Sequence, residues 1–473
     1  VSKTTITGCR ALLGSDYQYS DRPVDIEIDG RRISAITPTG EKAPQGRVVE
    51  GKGYLVTPGL INGHIHSHEH FHKGFLPDKL PLEPWMNFVR PLKPIEFTPR
   101  QVYLRTMLGA IEALRSGTTT MNDDFNVSPY LIREHVHAGF EAYDDIGIRA
   151  NLGMTLFDRP FFRAVPYVDE EFPAELLKRY DGVQPTPPGE VLDFARELAV
   201  SRHPGSNRVG CILAPSAPQR CTEGFLREVR ALADEFDLPV MMHVQETRVQ
   251  VVTGLIQHGM TLIEYLGKID FLRPKTQFIH AIWLNPREIE LIADSGVSLQ
   301  HNPSVNMMVG SGMMPVRAVL DAGINLALGS DGCGSIETCD MQKALFAGAL
   351  MQKLRGWDHE RWVGAEEIWR AATLGGAVAL GRGDELGCLE VGRAADLVGY
   401  RLRSPHLTPL NSPLRQIVYA QTGRDVDMVI VDGEDVMMNG RLVRIDEDAI
   451  LDEIAQEHAK LLPQMVASRD AVS

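Results

Sequence analysis

Five histidines fall between positions 64 and 72, in His64-Ile65-His66-Ser67-His68-Glu69-His70-Phe71-His72. His64 and His66 close the apolar run Gly59-Leu60-Ile61-Asn62-Gly63. Side chains two apart on a strand face the same way, so this pair can point into one site and supply half of a metal centre. Alone, two ordinary polar strand residues would explain it. Three other apolar runs end in similar chemistry. Val240-Met241-Met242-His243-Val244-Gln245-Glu246 offers a third imidazole and, on the following loop, a carboxylate free for proton transfer. The alternative for Glu246 is a helix N-terminal carboxylate stabilised by the dipole. Gln277-Phe278-Ile279-His280 ends in an imidazole that would, by itself, read as a satisfied core histidine. Leu326-Ala327-Leu328-Gly329-Ser330-Asp331-Gly332 exposes Asp331, which could instead close a tight turn before glycine.

These residues need a scaffold that brings strand ends together. Eight short apolar strands are predicted at 60–66, 118–122, 149–154, 209–214, 240–244, 277–281, 297–300 and 325–329. Amphipathic helical stretches lie between them, at 101–116, 223–236, 286–295, 314–322 and 341–354. Strict alternation argues for parallel βαβ units, and eight of them argue for an α/β fold of the (β/α)8 TIM-barrel type. An open doubly wound sheet is the runner-up, but histidines stand where its Gly-rich phosphate turn would be. His64, His66, His243, His280 and Asp331 then all fall at C-terminal strand ends, where barrel active sites collect.

Strand-like texture also marks both ends of the chain. Residues 24–28 and 32–36 flank an Asp29-Gly30 turn, and 396–400, 416–420 and 427–431 read as strands. The expected organisation is 1–58 and 391–445 as two parts of a small β-sandwich, 59–390 as the barrel and 446–473 as a C-terminal helix. Segment 173–188 reads as a loop, a lid or a surface excursion.

The chain has 473 residues, enough for a large core. With 44% hydrophobic and 23% charged residues, disorder, collagen and coiled coil are excluded as the dominant class. Its 48 basic and 62 acidic residues give a net charge of −14, which argues against nucleic-acid and anionic-membrane partners. The six cysteines form no CxxC pair and read as reduced thiols. The opening residues lack a signal-peptide pattern and no apolar run of about 18 residues occurs, so the expectation is a soluble cytoplasmic protein.

Pro58-Gly59-Leu60-Ile61-Asn62-Gly63-His64-Ile65-His66 resembles the first-strand signature of the amidohydrolase superfamily. So do Ser116-Gly117-Thr118-Thr119-Thr120, His243 with Glu246, His280, Asn302-Pro303-Ser304-Val305-Asn306, Gly310-Ser311-Gly312 and Leu328-Gly329-Ser330-Asp331-Gly332. The closing Gly387-Cys388-Leu389-Glu390-Val391-Gly392-Arg393-Ala394-Ala395-Asp396-Leu397 resembles that superfamily's return to its small β-domain. The likeness spans nearly the whole chain and is strongest to the branch holding triazine hydrolases, cytosine and guanine deaminases and S-adenosylhomocysteine deaminases.

The resemblance implies one divalent metal per chain, zinc first with iron or another ion as the alternative, held by His64, His66, His243 and Asp331. Such a metal lowers the pKa of its water so that hydroxide is available near neutrality. The resemblance makes Glu246, His280 and Asp331 catalytic: Asp331 takes the water's proton, His280 orients the nucleophile and leaving group, and Glu246 protonates a ring nitrogen. The fourth strand lacks the lysine that bridges two metals in binuclear relatives, so one metal is expected there. Ser216 stands where many deaminases of the branch carry a histidine after Ala214-Pro215. Trp85, in Glu83-Pro84-Trp85, is a candidate stacking wall for substrate, against a core tryptophan. His68, His70, Ser216, His301 and Asn306 are further substrate-side candidates. For His68, His70 and His72 the choice is pocket lining or a secondary metal site, against a polar loop wall, and the wall is favoured for His72. Asn306 also reads as a loop brace.

The expected function is hydrolytic deamination of a small N-heterocycle (pterin, purine, pyrimidine or triazine-like). Hydrolysis of an exocyclic C–N or C–Cl bond, or of an amide, urea or carbamate, is the alternative. A catalytically inactive scaffold is disfavoured because every ligand and proton-handling position is filled. The resemblance implies a homodimer or larger homo-oligomer. Substrate choice should rest on loops 67–94, 157–188 and 333–340.

Overall fold

A computed structural model describes residues 3–89, 94–183 and 185–471. Positions 90–93 and 184, within the two longer loops expected to set specificity, lie outside the described residues, as do the first two and last two residues.

Eight barrel strands follow in order: β1 (Leu60–Ile65), β2 (Thr118–Phe125), β3 (Arg149–Leu156), β4 (Val209–Cys211, continued by Ala214–Pro215), β5 (Val240–Val244), β6 (Thr276–His280), β7 (Ser298–His301) and β8 (Leu326–Leu328). They form two parallel arcs, β1 to β4 and β5 to β8. At one seam Leu213 bridges Val240 in parallel, and Met241 N–H donates to the Leu213 carbonyl at 2.9 Å. At the other, Asp331 N–H donates to the His64 carbonyl at 2.9 Å. These bonds tie the two arcs to each other and draw the end of β8 onto the end of β1. Every strand residue is buried except His243, which is intermediate. Burial on both faces is what parallel strands covered by helices require.

Local signals set the helix starts. Thr98 caps the Pro99–Arg115 helix in a reciprocal box with Gln101, and Asn285 does the same for Pro286–Ser295 with Glu288. Proline occupies the first helical turn of both, where its missing N–H costs nothing.

Strands from the two chain ends pair into one ten-stranded sheet. The Thr4–Leu13 strand pairs with Val24–Asp29 through its first half and with Tyr54–Pro58 through its second. The register shifts between Ile6 and Cys9, where Gly8 takes φ +73°. Such a bulge bends the strand so that it serves two sheet faces. Ile6, Cys9, Ile26, Ile28, Val56, Leu397, Met428 and Ile430 fill the core between them.

Two expectations are corrected. Segment 416–420 is helix, within Pro413–Ala420. Its buried Leu414, Ile417 and Val418 follow helical spacing, and Pro413 starts the turn. Segment 173–188 contains a helix, Ala174–Asp181, with Phe162, Val168 and Leu177 in a small core beside it. The final helix runs Glu447–Asp470, and Arg100 and Arg115 of the Pro99–Arg115 helix pair with its Glu453 and Glu447. Among the described residues no helix is long and apolar enough to cross a membrane.

Candidate active site

His64, His66 and His243 converge at the strand ends, with one ligand-capable atom of each within 4.8 Å of the others. His66 Nδ1 donates to the Asp124 carbonyl and His243 Nδ1 to the Ser216 carbonyl, both at 3.0 Å. Each bond places the proton on Nδ1, so that Nε2 is the nitrogen able to ligate a cation. His64 is fully buried, and neither of its ring nitrogens has a hydrogen-bond partner. Asp331 Oδ1 lies 3.8 Å from His64 Nε2 and 3.7 Å from His66 Nε2. Its two oxygens are aimed by Gly332 N–H (2.7 Å) and by Asn302 Nδ2 (3.0 Å).

This donor set fits a divalent cation. Burial and the neighbouring imidazoles push His64 well below its ordinary pKa, so it is neutral and able to ligate. Burial also opposes charge on His66, but the Asp124, Glu69 and Asp331 carboxylates outweigh it and raise His66 to about 9. That negative field would meet a metal ion in place of a proton. Three imidazoles and one carboxylate suit zinc, and also iron.

The backbone is forced at these positions. Gln245, His280, Ala281 and Asp331 have φ of 49°, 69°, 40° and 72°. Non-glycine residues in this region cost about 1–3 kcal/mol each and cluster at functional sites.

His280 lies between Asp331 and Glu246. Its Nδ1 donates to Asn306 Oδ1 at 2.9 Å. Its Nε2 lies 3.5 Å from both Glu246 Oε2 and Asp331 Oδ2. Glu246 is 4% exposed, and burial, with Asp331 and Glu83 adding, raises its carboxyl to about 7. Ser311 Oγ donates to Glu246 Oε1 at 3.2 Å. A carboxyl poised near neutrality can both give and take a proton.

The other candidates divide. Ser216 holds His243 through its carbonyl, while its hydroxyl accepts from Arg220 Nη1 at 2.6 Å. Asn306 braces His280 instead of facing substrate by itself. His301 is wholly buried, and burial with His280 lowers it to about 3. His68 stays close, its ring 5.2 Å from that of His66. His70 leaves the site: its ring packs on Gly109 and neighbours Cys333 and Cys339. His72 packs beside Phe75, and burial together with the Arg105 and His458 charges lowers it to about 4. Trp85 is buried on the Leu82–Val89 helix, which is tied to the Glu246 loop by Thr247 Oγ1 donating to Glu83 Oε1 at 2.5 Å.

Sequence reasoning ended the second strand before Asp123 and Asp124, yet both serve the site. Asp123 Oδ1 accepts from Ser67 N–H, and the Asp124 carbonyl orients His66. Two acids ending a barrel strand were the available signal. Arg220, buried behind Ser216 and against Phe157, had none.

The sequence profile of the amidohydrolase family matches residues 55–436. The chain is 33% identical over 434 residues to a 5'-deoxyadenosine deaminase of Methanothermobacter thermautotrophicus, covering 91% of this chain and 93% of that one. An adenosine deaminase from Xanthomonas campestris with bound zinc superposes with a TM-score of 0.85 at 28% identity, covering 97% of this chain and 98% of that one. The atrazine chlorohydrolase of Arthrobacter aurescens superposes at 0.84 with 25% identity, covering 97% and 100%. With three imidazoles and an aspartate at the strand ends of this fold, the chain belongs to the amidohydrolase family.

Proposed function

We propose that this protein is a hydrolytic deaminase of an N-heterocyclic small molecule, with an adenine-type purine as the first substrate class. His64, His66, His243 and Asp331 would hold one divalent metal, with zinc preferred. When bound, the cation supplies Lewis acidity that makes water a competent nucleophile near neutral pH. The chain's own residues do the rest. Asp331 accepts the proton of the attacking water. His280, held by Asn306, keeps its Nε2 between Asp331 and Glu246 and so passes or orients that proton. Glu246 protonates the ring nitrogen next to the carbon under attack, the proton taken up by Asp331 passes to the exocyclic amine, and ammonia departs as the added hydroxyl gives its proton back to Glu246.

The observation that carries this reading is the Glu246–His280–Asp331 line beside three imidazoles. Hydrolysing an exocyclic amine from a heteroaromatic ring needs a proton placed on the ring, and Glu246 is the buried carboxyl able to supply it. The purine preference rests on the relatives' substrates.

A second reading follows from Ser216 and the chlorohydrolase likeness: the same site could release chloride or an alkylamine. A zinc-loaded panel of adenosine-type purines, pterins, pyrimidines, triazines and ureas, read by ammonia assay and mass spectrometry, separates the two. Ammonia from a purine supports deamination. Chloride, alkylamine or a carboxylate product with no ammonia overturns it.

A further inference from the structure

Beyond the candidate catalytic centre, one more group of side chains able to ligate a metal is brought together among the described residues. His70, Cys333 and Cys339 each place a ligand-capable atom within 4.8 Å of the other two. All three are buried, at 2%, 0% and 0% exposure. His70 Nδ1 donates to the Ser67 carbonyl at 2.8 Å, which leaves its buried Nε2 as the nitrogen that faces the Cys333 thiol. The ring rests where a side chain at position 109 would stand: a Cβ there would lie 2.2 Å from His70 Cε1 and Nε2. A carboxylate stands alongside, with Glu112 Oε2 3.5 Å from Cys339 Sγ. Lys73 Nζ and Thr338 Oγ1 both donate to Glu112.

We infer that His70, Cys333 and Cys339 form a second, structural metal site for a thiolate-preferring divalent cation of the zinc class, with Glu112 as the adjacent oxygen donor. The donor types match closed structural zinc sites. Charge also closes: two thiolates and one carboxylate balance a divalent cation and the Lys73 ammonium. Tetrahedral bonds of about 2.0–2.3 Å separate donors by about 3.5–3.8 Å, so His70, Cys333 and Cys339 need close on one another by at most about 1 Å. Each thiol gives up one proton as the metal binds.

The site would rivet three elements: the 3-10 helix Ser67–His72, the Cys333–Ile336 helix with the turn after it, and the Pro99–Arg115 helix. The first two flank His66 and Asp331, so the rivet steadies catalytic ligands from behind. It leaves the catalytic centre with one metal and brings the chain's total to two.

The test uses full-length protein produced in cobalt-supplemented medium, because a site this buried fills as the chain folds. The expected result is a near-ultraviolet thiolate-to-cobalt charge-transfer band and two metals per chain by elemental mass spectrometry. The band should survive in H64N/H66N, which disables only the catalytic centre, and vanish in C333S/C339S with the loss of one metal. Wild-type protein with no such band, a band that persists in C333S/C339S, or a Cys333–Cys339 disulfide found by mass would each overturn the inference. Wild-type spectra decide the matter even if the serine variant fails to fold. The outcome is independent of ammonia release, which tests the deaminase reading.

Discussion

Glu246 carries both a chemical and a thermodynamic signature. Its carboxyl sits at about 7 because it is buried, with Asp331 and Glu83 nearby. E246Q should lower kcat by about 10²–10⁴-fold while leaving metal content unchanged. The same carboxyl destabilises the metal-free fold at high pH. A group raised from 4.5 to about 7 contributes stability that is present below pH 4.5 and lost as pH rises through 7. Metal-free E246Q should therefore match wild type at pH 4.5 and exceed it above pH 7, by on the order of 3 kcal/mol. Chemical denaturation at the two pH values checks this, and equal stabilities at high pH would refute the buried-acid assignment. Asn306 acts one step removed. N306A should cut kcat by about 10–100-fold by freeing the His280 ring, with KM little changed.

At the scale of elements, close backbone approach decides the ligand geometry. A Cβ on Gly63 would lie 2.1 Å from Gln300 Oε1. Gln300 Nε2 donates to Asn302 Oδ1, and Asn302 Nδ2 to Asp331 Oδ2. Thus G63A should push β1 and β7 apart and weaken metal affinity by about 10–100-fold, measurable by chelator competition. Unchanged affinity would mean that this chain of contacts does not set the position of Asp331. The candidate site residues stood out in sequence because each lies at or just past the end of an apolar run, and a strand's period of two fixes which way a residue points. The same period does not extend beyond His66. Residues 68 and 70 continue the alternation on paper, but the chain enters a 3-10 helix at Ser67, with three residues per turn. His70 is thereby rotated away toward Gly109. Likewise 416–420 looked like a strand because five residues are too few to separate a β-branched run from a helical face. Partners such as Asn302 for Asp331 join segments far apart in sequence, and no local pattern announces them.

Across the whole molecule, one buried cation joins the barrel to the terminal sheet. Arg149, 2% exposed at the start of β3, donates to both oxygens of Asp396 at 2.8 and 3.0 Å and to Asp432 Oδ1 at 3.0 Å. Asp396 also receives Asp432 N–H at 2.7 Å. R149A would strand two carboxylates away from water and should destabilise the fold by about 3–5 kcal/mol in denaturant titration. A loss under 1 kcal/mol would show that the two parts hold together without it. Barrel and sheet matter here because they bring residues 64, 66, 243 and 331 to one point. The most direct measurement is an anomalous-difference map at the zinc edge from crystals of the zinc-loaded protein. The account predicts a peak among His64, His66 and His243 Nε2 and the Asp331 carboxylate. Zinc-replete crystals with no peak between those four side chains would contradict it.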